Sequence, residues 1–355
     1  MIAGLLFDRA PRRVYWEVTR ACDLACRHCR AEATPDPDPR ELTSAEGLWL
    51  LDRLAACEPP APHVVLTGGD PLKRSDLFLL IERATALGLP VSVAPSGTPR
   101  LTGEVIRLLR AAGVEAISLS LDGSDAASHD TLRGVPGCFE RTVAAARAAA
   151  VERLPFQVNT LVSQETFDDL PAIGAATADL GAARWSLFFL VAVGRGRVLR
   201  PISAEACERL LGWLADRSSE GGPVVGTTEA PHFRRVLLER ARRAARRDGA
   251  ADRGGAGHAA GIRDGNGIMF VSHTGDVTPS GFMPLPQGNV RTADPVTIYR
   301  DAPLFRALRQ ADRFEGRCGR CQFRGPCGGS RARAFAASGN PLGEDPLCLH
   351  EPPSP

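Results

Sequence analysis

The sequence lacks long apolar runs and a strong charge of either sign. No apolar stretch in its 355 residues approaches the roughly 20 needed to span a bilayer, so we expect no membrane partner. The formal net charge is +2, which argues against a dedicated nucleic-acid-binding protein, because those usually present a strongly basic face. Cysteine is sparse at 10 residues, and residues 1–10 do not resemble a secretion signal. We therefore expect no disulfide framework and a location in the reducing cytoplasm.

What is present is the composition of an ordinary globular protein, with 44% hydrophobic and 24% charged residues. Short apolar runs alternate with helical segments, and the first helix is expected to follow Thr43 as its N-cap. Strands are predicted at 14–18, 63–66, 90–94, 116–121, 156–161 and 184–190, and helices at 44–56, 76–87, 102–112, 139–150, 166–180 and 204–218. Six βα units predict an α/β fold whose parallel sheet curls toward a barrel, with functional residues at the C-terminal ends of the strands.

Three cysteines lie in a short loop directly after the first predicted strand. Cys22, Cys26 and Cys29 have the spacing C-x3-C-x2-C, which lets three thiolates point at one centre. A structural zinc ion normally takes four protein ligands, whereas three thiolates on a four-iron cluster leave one iron open to another molecule. A zinc loop remains the alternative interpretation.

This spacing resembles the signature of the radical S-adenosylmethionine (SAM) superfamily. The resemblance implies that the three cysteines hold a [4Fe-4S] cluster whose open iron is chelated by SAM. It further implies reductive cleavage of SAM to methionine and a 5′-deoxyadenosyl radical, which removes a hydrogen atom from the substrate. A partial (βα)6 TIM-like barrel, open on one side, is the fold that the family implies for residues 1–218.

The resemblance also implies a set of SAM contacts in the loops at the strand ends. The candidate cofactor-binding residues are Gly68, Gly69, Asp70 and Pro71, then Ser96, Ser120 and Asp122, and finally Arg133 and His28. Paired glycines allow close backbone approach, and a guanidinium fork suits a planar carboxylate. Asp70 stands where the family more often has Glu. The alternative is that these polar residues only cap loops, and that His28 is a surface histidine.

The barrel pattern breaks between residues 219 and 265. An arginine-rich helix is predicted from 227 to 247, followed by a Gly/Ala/Asp-rich mobile loop at 248–265. The helix is either a solvated face or a carboxylate-binding surface over the open barrel mouth, with Glu229 and His232 near the substrate. Cys57, Cys138 and Cys207 are isolated, and we interpret them as small apolar packing residues.

Residues 266–355 form a predicted small C-terminal domain with a second set of cysteines. A hairpin is expected at 267–279 and a helix at 297–310. Four tail cysteines follow that suit a structural zinc ion or a closed [4Fe-4S] cluster: Cys318, Cys321, Cys327 and Cys348. The tail resembles the SPASM/twitch appendages of radical SAM enzymes, which implies an auxiliary [4Fe-4S] cluster. Ser280 stands in the hairpin where a further cysteine would be, so we expect one such cluster.

Three stretches resemble the haem-biosynthesis branch of the superfamily, which includes the heme d1 and alternative haem pathway enzymes. They are residues 20–33, 272–281 and 327–334. This resemblance implies removal or oxidative decarboxylation of a side chain of an iron tetrapyrrole, with an electron donor such as flavodoxin or ferredoxin. The alternatives are a maturase of a ribosomally made peptide, an enzyme acting on another small molecule, and a non-catalytic iron–sulfur or zinc protein. Only 13 residues precede the first predicted strand, so we expect no N-terminal peptide-recognition domain.

Overall fold

The computed structural model describes residues 7–247 and 261–353. The strands are β1 Arg13–Thr19, β2 His63–Gly68, β3 Val91–Val93, β4 Ala116–Ser120, β5 Phe156–Val162, β6 Arg184–Phe189, β7 Val224–Thr228, β8 Arg263–Asp264, β9 Gly267–Val271, β10 Asp276–Thr278 and β11 Gly288–Asn289. The helices are α1 Ser44–Ala55, α2 Leu77–Ala86, α3 Gly103–Ala111, α4 Ala126–Arg133, α5 Cys138–Val151, α6 Leu170–Asp179, α7 Ala204–Arg217, α8 His232–Arg247, α9 Pro295–Asp301, α10 Pro303–Arg309, α11 Gly316–Arg320 and α12 Arg331–Ser338. Thr43 caps α1 in a capping box with Glu46, as the sequence predicts.

The barrel strands alternate between an apolar face and a polar face. In β1, Val14, Trp16 and Val18 are fully buried in the main core, while Arg13 and Tyr15 line the opposite side of the sheet. Successive side chains of a strand point to opposite faces, so the apolar set packs under the helices and the polar set faces the lumen. Barrel lumens are commonly filled with branched apolar side chains. Here the polar lumen contains a cavity instead.

The sheet is parallel through most of its width and does not close. Its strand order is β11-β10-β9-β1-β2-β3-β4-β5-β6-β7, and β1 to β7 pair in parallel throughout. Among the described strands, β7 has no partner on its far side. The predicted α/β fold, a partial barrel open on one side, is confirmed. Within the described ranges no helix combines the length and apolarity that crossing a membrane requires.

The C-terminal part is joined to the barrel through this sheet. β9 pairs in parallel with β1, with Arg13 opposite Ile268 and Trp16 opposite Val271. β9 and β10 form the predicted hairpin, and they are antiparallel. The tail therefore takes its position from the first barrel strand.

Three local expectations were wrong. Residues 224–228 form strand β7, and the arginine-rich helix begins only at His232, because the β-branched run there pairs with β6. The single helix expected at 297–310 is two helices, since Pro303 has no N–H to donate and its predecessor Ala302 is extended. Helix α4 was not predicted. Most of the predicted mobile loop, residues 248–260, lies outside the described residues.

Candidate functional site

The cysteine loop at the carboxyl end of β1 offers each of its three sulfurs a hydrogen-bond donor. The N–H of Leu24 lies 3.4 Å from Cys22 Sγ, and the N–H of Ala33 lies 3.4 Å from Cys29 Sγ. The guanidinium of Arg133 approaches Cys26 Sγ at 3.8 Å. Burial raises the pKa of the Cys26 thiol, and the neighbouring charge of Cys29 adds to the rise while Arg133 opposes it. These donors suit thiolates bound to iron better than free thiols.

The glycine pair after β2 packs directly against the cysteine loop. Gly69 donates its N–H to Thr19 O at 2.8 Å, and Asp70 donates its N–H to Ala21 O at 2.7 Å. A Cβ at Gly69 would lie 2.4 Å from Ala21 O, and one at Gly68 would lie 2.3 Å from Thr19 O. The sequence predicts close approach at these glycines, and the structure shows that they approach the chain's own backbone.

Asp70 is fully buried and uses both carboxylate oxygens within the protein. Oδ1 accepts from the N–H groups of Leu72 at 3.2 Å and Ser96 at 3.3 Å, while Oδ2 accepts from Thr98 Oγ1 at 2.8 Å. Burial raises the pKa of Asp70, and these hydrogen bonds oppose the rise. Pro71 begins the short 3-10 helix that Asp70 caps. The carboxylate thus positions the loop that meets the cysteines.

Ser96 connects this loop to the first cysteine. Its hydroxyl donates to Gly69 O at 2.9 Å and lies 3.7 Å from Cys22 Sγ. One group of candidates, comprising the glycine pair, Asp70, Pro71 and Ser96, is therefore assembled on the Cys22 side of the loop. The remaining candidates lie elsewhere.

The second group of candidates surrounds Cys26. Arg133 and Asp122 form a buried ion pair, and His28 Nε2 lies 3.9 Å from Asp122 Oδ2. Burial acts to raise the pKa of Asp122, but Arg133 and the nearby histidines outweigh it and hold that pKa below its usual value. Burial and Arg133 lower the pKa of His28 to about 4, so this imidazole is neutral at physiological pH.

A small cavity of about 110 Å³ joins this second group. Its wall includes His28, Ser120, Asp122, Arg133 and also Asn159, which lies opposite Ser120 in the register of β4 and β5. Polar groups from four segments thus converge beside the cysteine loop, at the carboxyl ends of the strands. That is where α/β barrels place their ligands.

Sequence reasoning missed Arg195, which holds the cysteine loop from the other side. It donates from Nε to Cys26 O at 3.0 Å and from Nη1 to Ala33 O at 3.2 Å, and its N–H bonds to Cys29 O at 3.1 Å. Preceding it, Gly194 has φ +53°, and a Cβ there would lie 2.5 Å from Arg30 O. The available signal was the Gly-Arg-Gly-Arg run at 194–197, which is separated by three residues from the end of a predicted strand.

His129 was also missed, and it positions Asp122. Its Nδ1 accepts the N–H of Asp122 at 3.1 Å, which places the imidazole proton on Nε2. His129, Asp130 and Cys138 have ligand atoms within 4.8 Å of one another. They do not suit a metal ion, because Nε2 is protonated and Asp130 already accepts the N–H groups of Gly137 and Phe139.

The tail cysteines receive donors in the same manner as the first three. Phe323 N–H lies 3.4 Å from Cys321 Sγ, and Gly329 N–H lies 3.5 Å from Cys327 Sγ. The guanidinium of Arg331 lies 3.5 Å from Cys318 Sγ. Burial raises the pKa of Cys327 to about 12 and that of Cys348 to about 11, with smaller contributions from charge at Cys318 in each case.

A single metal ion and a four-iron cluster require different spacings of their sulfur ligands. A tetrahedral zinc site with Zn–S bonds of about 2.3 Å places its sulfurs about 3.8 Å apart. Among the described residues, the one trio of ligand atoms that all lie within 4.8 Å of each other is His129, Asp130 and Cys138, and no trio of tail cysteines qualifies. A four-iron cluster does not require such close ligand atoms, because each ligand binds a separate metal atom.

The lumen contains a cavity of about 370 Å³ between the barrel strands and the tail. Arg30 enters it, paired with Glu17 at 2.9 Å and stacked 4.7 Å from the Phe270 ring centroid. Glu229 and Asp264 also line it and form a buried carboxyl pair. Burial and the neighbouring carboxylate raise the pKa of Glu229 well above its usual value.

The arginine-rich helix mostly serves the protein's own packing. Arg235 pairs with Glu208 and Glu239, and Arg240 pairs with Asp216. Among the side chains of this helix that the structure describes, Arg234 is the one arginine that lines the cavity. Its guanidinium donates to Pro326 O at 3.1 Å and Ile262 O at 2.6 Å.

Glu229 and His232 were also expected near the substrate, and the structure places them in different surroundings. Glu229 lines the cavity, whereas His232 is fully buried with its Nε2 3.1 Å from Cys207 Sγ. Cys138 and Cys207 are buried, as expected for packing residues, and Cys57 is half-buried.

Known proteins resemble this chain along nearly its whole length. The sequence profile of the radical SAM superfamily matches residues 16–174. A protein named AdoMet-dependent heme synthase from Methanosarcina barkeri is 37% identical over 98% of this chain and 99% of its own length. A protein of the same name from Oleidesulfovibrio alaskensis is 39% identical over 98% of this chain and 90% of its own. The mycofactocin maturase MftC of Mycobacterium ulcerans is 30% identical over 96% and 88%.

Solved structures share the fold. The crystal structure of Streptococcus suis SuiB bound to S-adenosylmethionine has a TM-score of 0.72 with this chain at 16% identity, covering 96% of this chain and 78% of SuiB.

Proposed function

This chain belongs to the radical SAM superfamily and is an enzyme, and we propose that it removes or oxidatively decarboxylates side chains of an iron tetrapyrrole. The observation that carries this proposal is the polar cavity of about 370 Å³, whose lining includes five arginines: Arg13, Arg30, Arg184, Arg234 and Arg263. A flat substrate bearing several carboxylates suits such a lining. Relatives named heme synthases that match nearly the whole chain support the same substrate class.

In this proposal Cys22, Cys26 and Cys29 hold the first [4Fe-4S] cluster. When bound, the cluster and SAM supply a 5′-deoxyadenosyl radical that abstracts a substrate hydrogen. The backbone N–H groups of Leu24 and Ala33 stabilise the charge on two of the thiolates, and Arg133 does so for Cys26. Family membership supports SAM and a [4Fe-4S] cluster.

The proposed SAM contacts fall into two groups, and each group has a different role. Gly68, Gly69, Asp70, Pro71 and Ser96 form the loop on the Cys22 side, where backbone carbonyls are offered to the SAM amino group. Because Asp70 already accepts three hydrogen bonds, its proposed part is to hold this loop in place.

The cavity beside Cys26 is the proposed nucleoside and carboxylate site. It is lined by His28, Ser120, Asp122, Arg133 and Asn159. Here Arg133 pairs with the SAM carboxylate while Asp122 keeps its guanidinium oriented.

We also propose that the tail cysteines hold one auxiliary [4Fe-4S] cluster, ligated entirely by protein. Cys318 is near the other three, and Arg331 offsets the negative charge that four thiolates accumulate. Such a cluster is suited to taking up the electron released as the substrate radical resolves. Flavodoxin or ferredoxin as the external donor remains a prediction.

Two measurements test the proposal. Anaerobic enzyme incubated with SAM, reductant and a tetrapyrrole should yield 5′-deoxyadenosine and a lighter porphyrin, whereas SAM cleavage uncoupled from every tetrapyrrole contradicts the substrate class. Iron and sulfide analysis should find about eight irons per chain, falling to about four when Cys22, Cys26 and Cys29 are replaced together by alanine. Zinc in the tail would overturn the auxiliary cluster.

A peptide substrate is the second candidate, favoured by the 30% identity to a protein named as a maturase. The two candidates differ in what the cavity must accept. A precursor peptide that is encoded beside the gene and consumed together with SAM would favour the maturase. Conversion of a tetrapyrrole would make the peptide substrate unnecessary.

A further inference from the structure

The amino ends of two barrel strands carry solvent-exposed arginines that line the lumen and have no acidic partner among the described residues. Arg13 begins β1 and Arg184 begins β6, and both line the main cavity. Among the described residues, no carboxylate lies within ion-pair distance of either guanidinium. With the residues that the structure describes, Arg13 makes one side-chain hydrogen bond, to Tyr15 Oη at 3.4 Å, and the Arg184 side chain makes none.

This situation differs from that of the other arginines in the cavity. Arg30 forms an ion pair with Glu17, while Arg234 and Arg263 donate hydrogen bonds to backbone carbonyls. Arg13 and Arg184 therefore retain both their charge and most of their donors. Burial and the like charge of Arg13 lower the pKa of Arg184, whereas the neighbouring Tyr15 raises the pKa of Arg13.

The surroundings of these arginines hold further unused donors. Tyr15 accepts from Arg13 and keeps its own O–H, and the hydroxyls of Ser118 and Ser186 make no side-chain hydrogen bond with the described residues. Gly226 makes room for Arg184, because a Cβ there would lie 2.7 Å from its Nη1. The carboxyl groups in the lining, Glu229 and Asp264, are paired with each other. The amino end of the lumen thus offers two cationic donors with no carboxylate paired to them among the described residues.

We propose that Arg13 and Arg184 form a carboxylate-binding site at the floor of the barrel, which anchors a substrate carboxylate remote from the one that reacts. This inference rests on the proposed function, because it assumes a substrate with several carboxylates. Arg13 lies four residues before Glu17, or about 13 Å along the strand at ~3.3 Å per residue. A rigid macrocycle with carboxylates on opposite edges can place one beside the cysteine loop and another at this floor.

The first test measures binding by the full-length, anaerobically reconstituted enzyme. The probe is iron coproporphyrin III, which carries four propionates, titrated by its absorbance change. Arg184→Met and Arg13→Met should each raise Kd about 10- to 100-fold, since a hydrogen bond to a charged group contributes about 1.5–3 kcal/mol. Arg184→Lys should fall between wild type and Arg184→Met. The matched control, Arg107→Met on the exposed face of α3, should bind as wild type does.

A second test uses the wild-type chain, so that it does not depend on how any variant folds. The tetramethyl ester of the same porphyrin should bind wild type more weakly by a similar factor, and Arg184→Met should not weaken it further. In turnover, KM should rise with Kd while kcat at saturation changes less than about threefold, because the floor is remote from the reacting atoms. Uncoupled SAM cleavage should stay at the wild-type rate.

The failures are distinguishable. If wild type neither binds nor converts any tetrapyrrole, the proposed function falls and this inference with it. If wild type does bind, but Arg184→Met binds within twofold of it or weakens acid and ester equally, the floor site alone is refuted. A last outcome concerns free anions. If millimolar phosphate or sulfate weakens porphyrin binding by wild type as much as the Arg184→Met change does, the site binds free anions, and the anchor is also refuted.

Discussion

The buried ion pair between Asp122 and Arg133 should respond strongly to the loss of one partner. Arg133→Met leaves the Asp122 carboxylate in a site where it is only 3% exposed and where the nearest remaining cationic candidate, His28, is neutral. Removing one member of a buried pair costs about 3–5 kcal/mol, since the other charge stays buried and unpaired. We expect Arg133→Met to destabilise the protein by that amount.

The corresponding shift in melting temperature follows from the size of the chain. An unfolding entropy of about 2.1 cal/mol/K per residue amounts to about 0.75 kcal/mol/K for 355 residues, so the midpoint should fall by about 4–7 °C. The assay is anaerobic thermal unfolding at pH 7 without SAM. Replacing both residues, by Asp122→Asn with Arg133→Met, should cost clearly less than the sum of the single changes.

The pH dependence has a definite sign. In wild type the pKa of Asp122 is lowered, so the stability from the pair is present above the unfolded value near 3.9 and is lost as the pH falls through the folded value. In Arg133→Met the lowering by Arg133 is lost, and burial acts to raise the pKa of Asp122 against the Leu161 N–H, His28 and His129. The loss of stability should therefore be largest near pH 7 and shrink toward pH 4. Glu104→Ala, which breaks an exposed pair, should shift the midpoint by about 1 °C or less. A midpoint for Arg133→Met within 1 °C of wild type, or additive single changes, would refute the reasoning.

Three further predictions concern other parts of the molecule. Gly69→Ala should abolish SAM cleavage and iron binding at the first site because its Cβ would meet a backbone oxygen at 2.4 Å, whereas Gly103→Ala, with 3.7 Å of clearance, should be silent in both assays. Cys327→Ser should lower iron from about eight to about four per chain, and Cys57→Ser should retain about eight. Because the pKa of Glu229 is raised in the folded protein, stability falls as the pH rises from the pKa of the unfolded state toward that of the folded state. The melting temperature of Glu229→Gln relative to wild type should therefore increase between pH 5 and pH 9. A constant difference would contradict the burial of Glu229 beside Asp264.

The sequence was sufficient for features that depend on local spacing. The C-x3-C-x2-C loop, the glycine pair with Asp70 and the alternation of strands and helices each involve neighbours along the chain. Residues 224–228 and Pro303 show where local reading failed. Strand β7 lies where the alternation of strands and helices stops, and only its pairing with β6 reveals it. The helical spacing of apolar residues continues across Pro303, so the spacing did not indicate the end of the helix there.

Only the tertiary structure decided how the distant parts meet. Arg195 reaches the cysteine loop across 162 or more positions of sequence, and Arg13 shares a cavity with Arg184, because the strand order and register bring their backbones together. The same register places β9 beside β1 and so sets the tail against the barrel. Local spacing determines which chemistry a loop can hold. Which charges remain without partners depends on long-range packing, and that is a property of the folded chain alone.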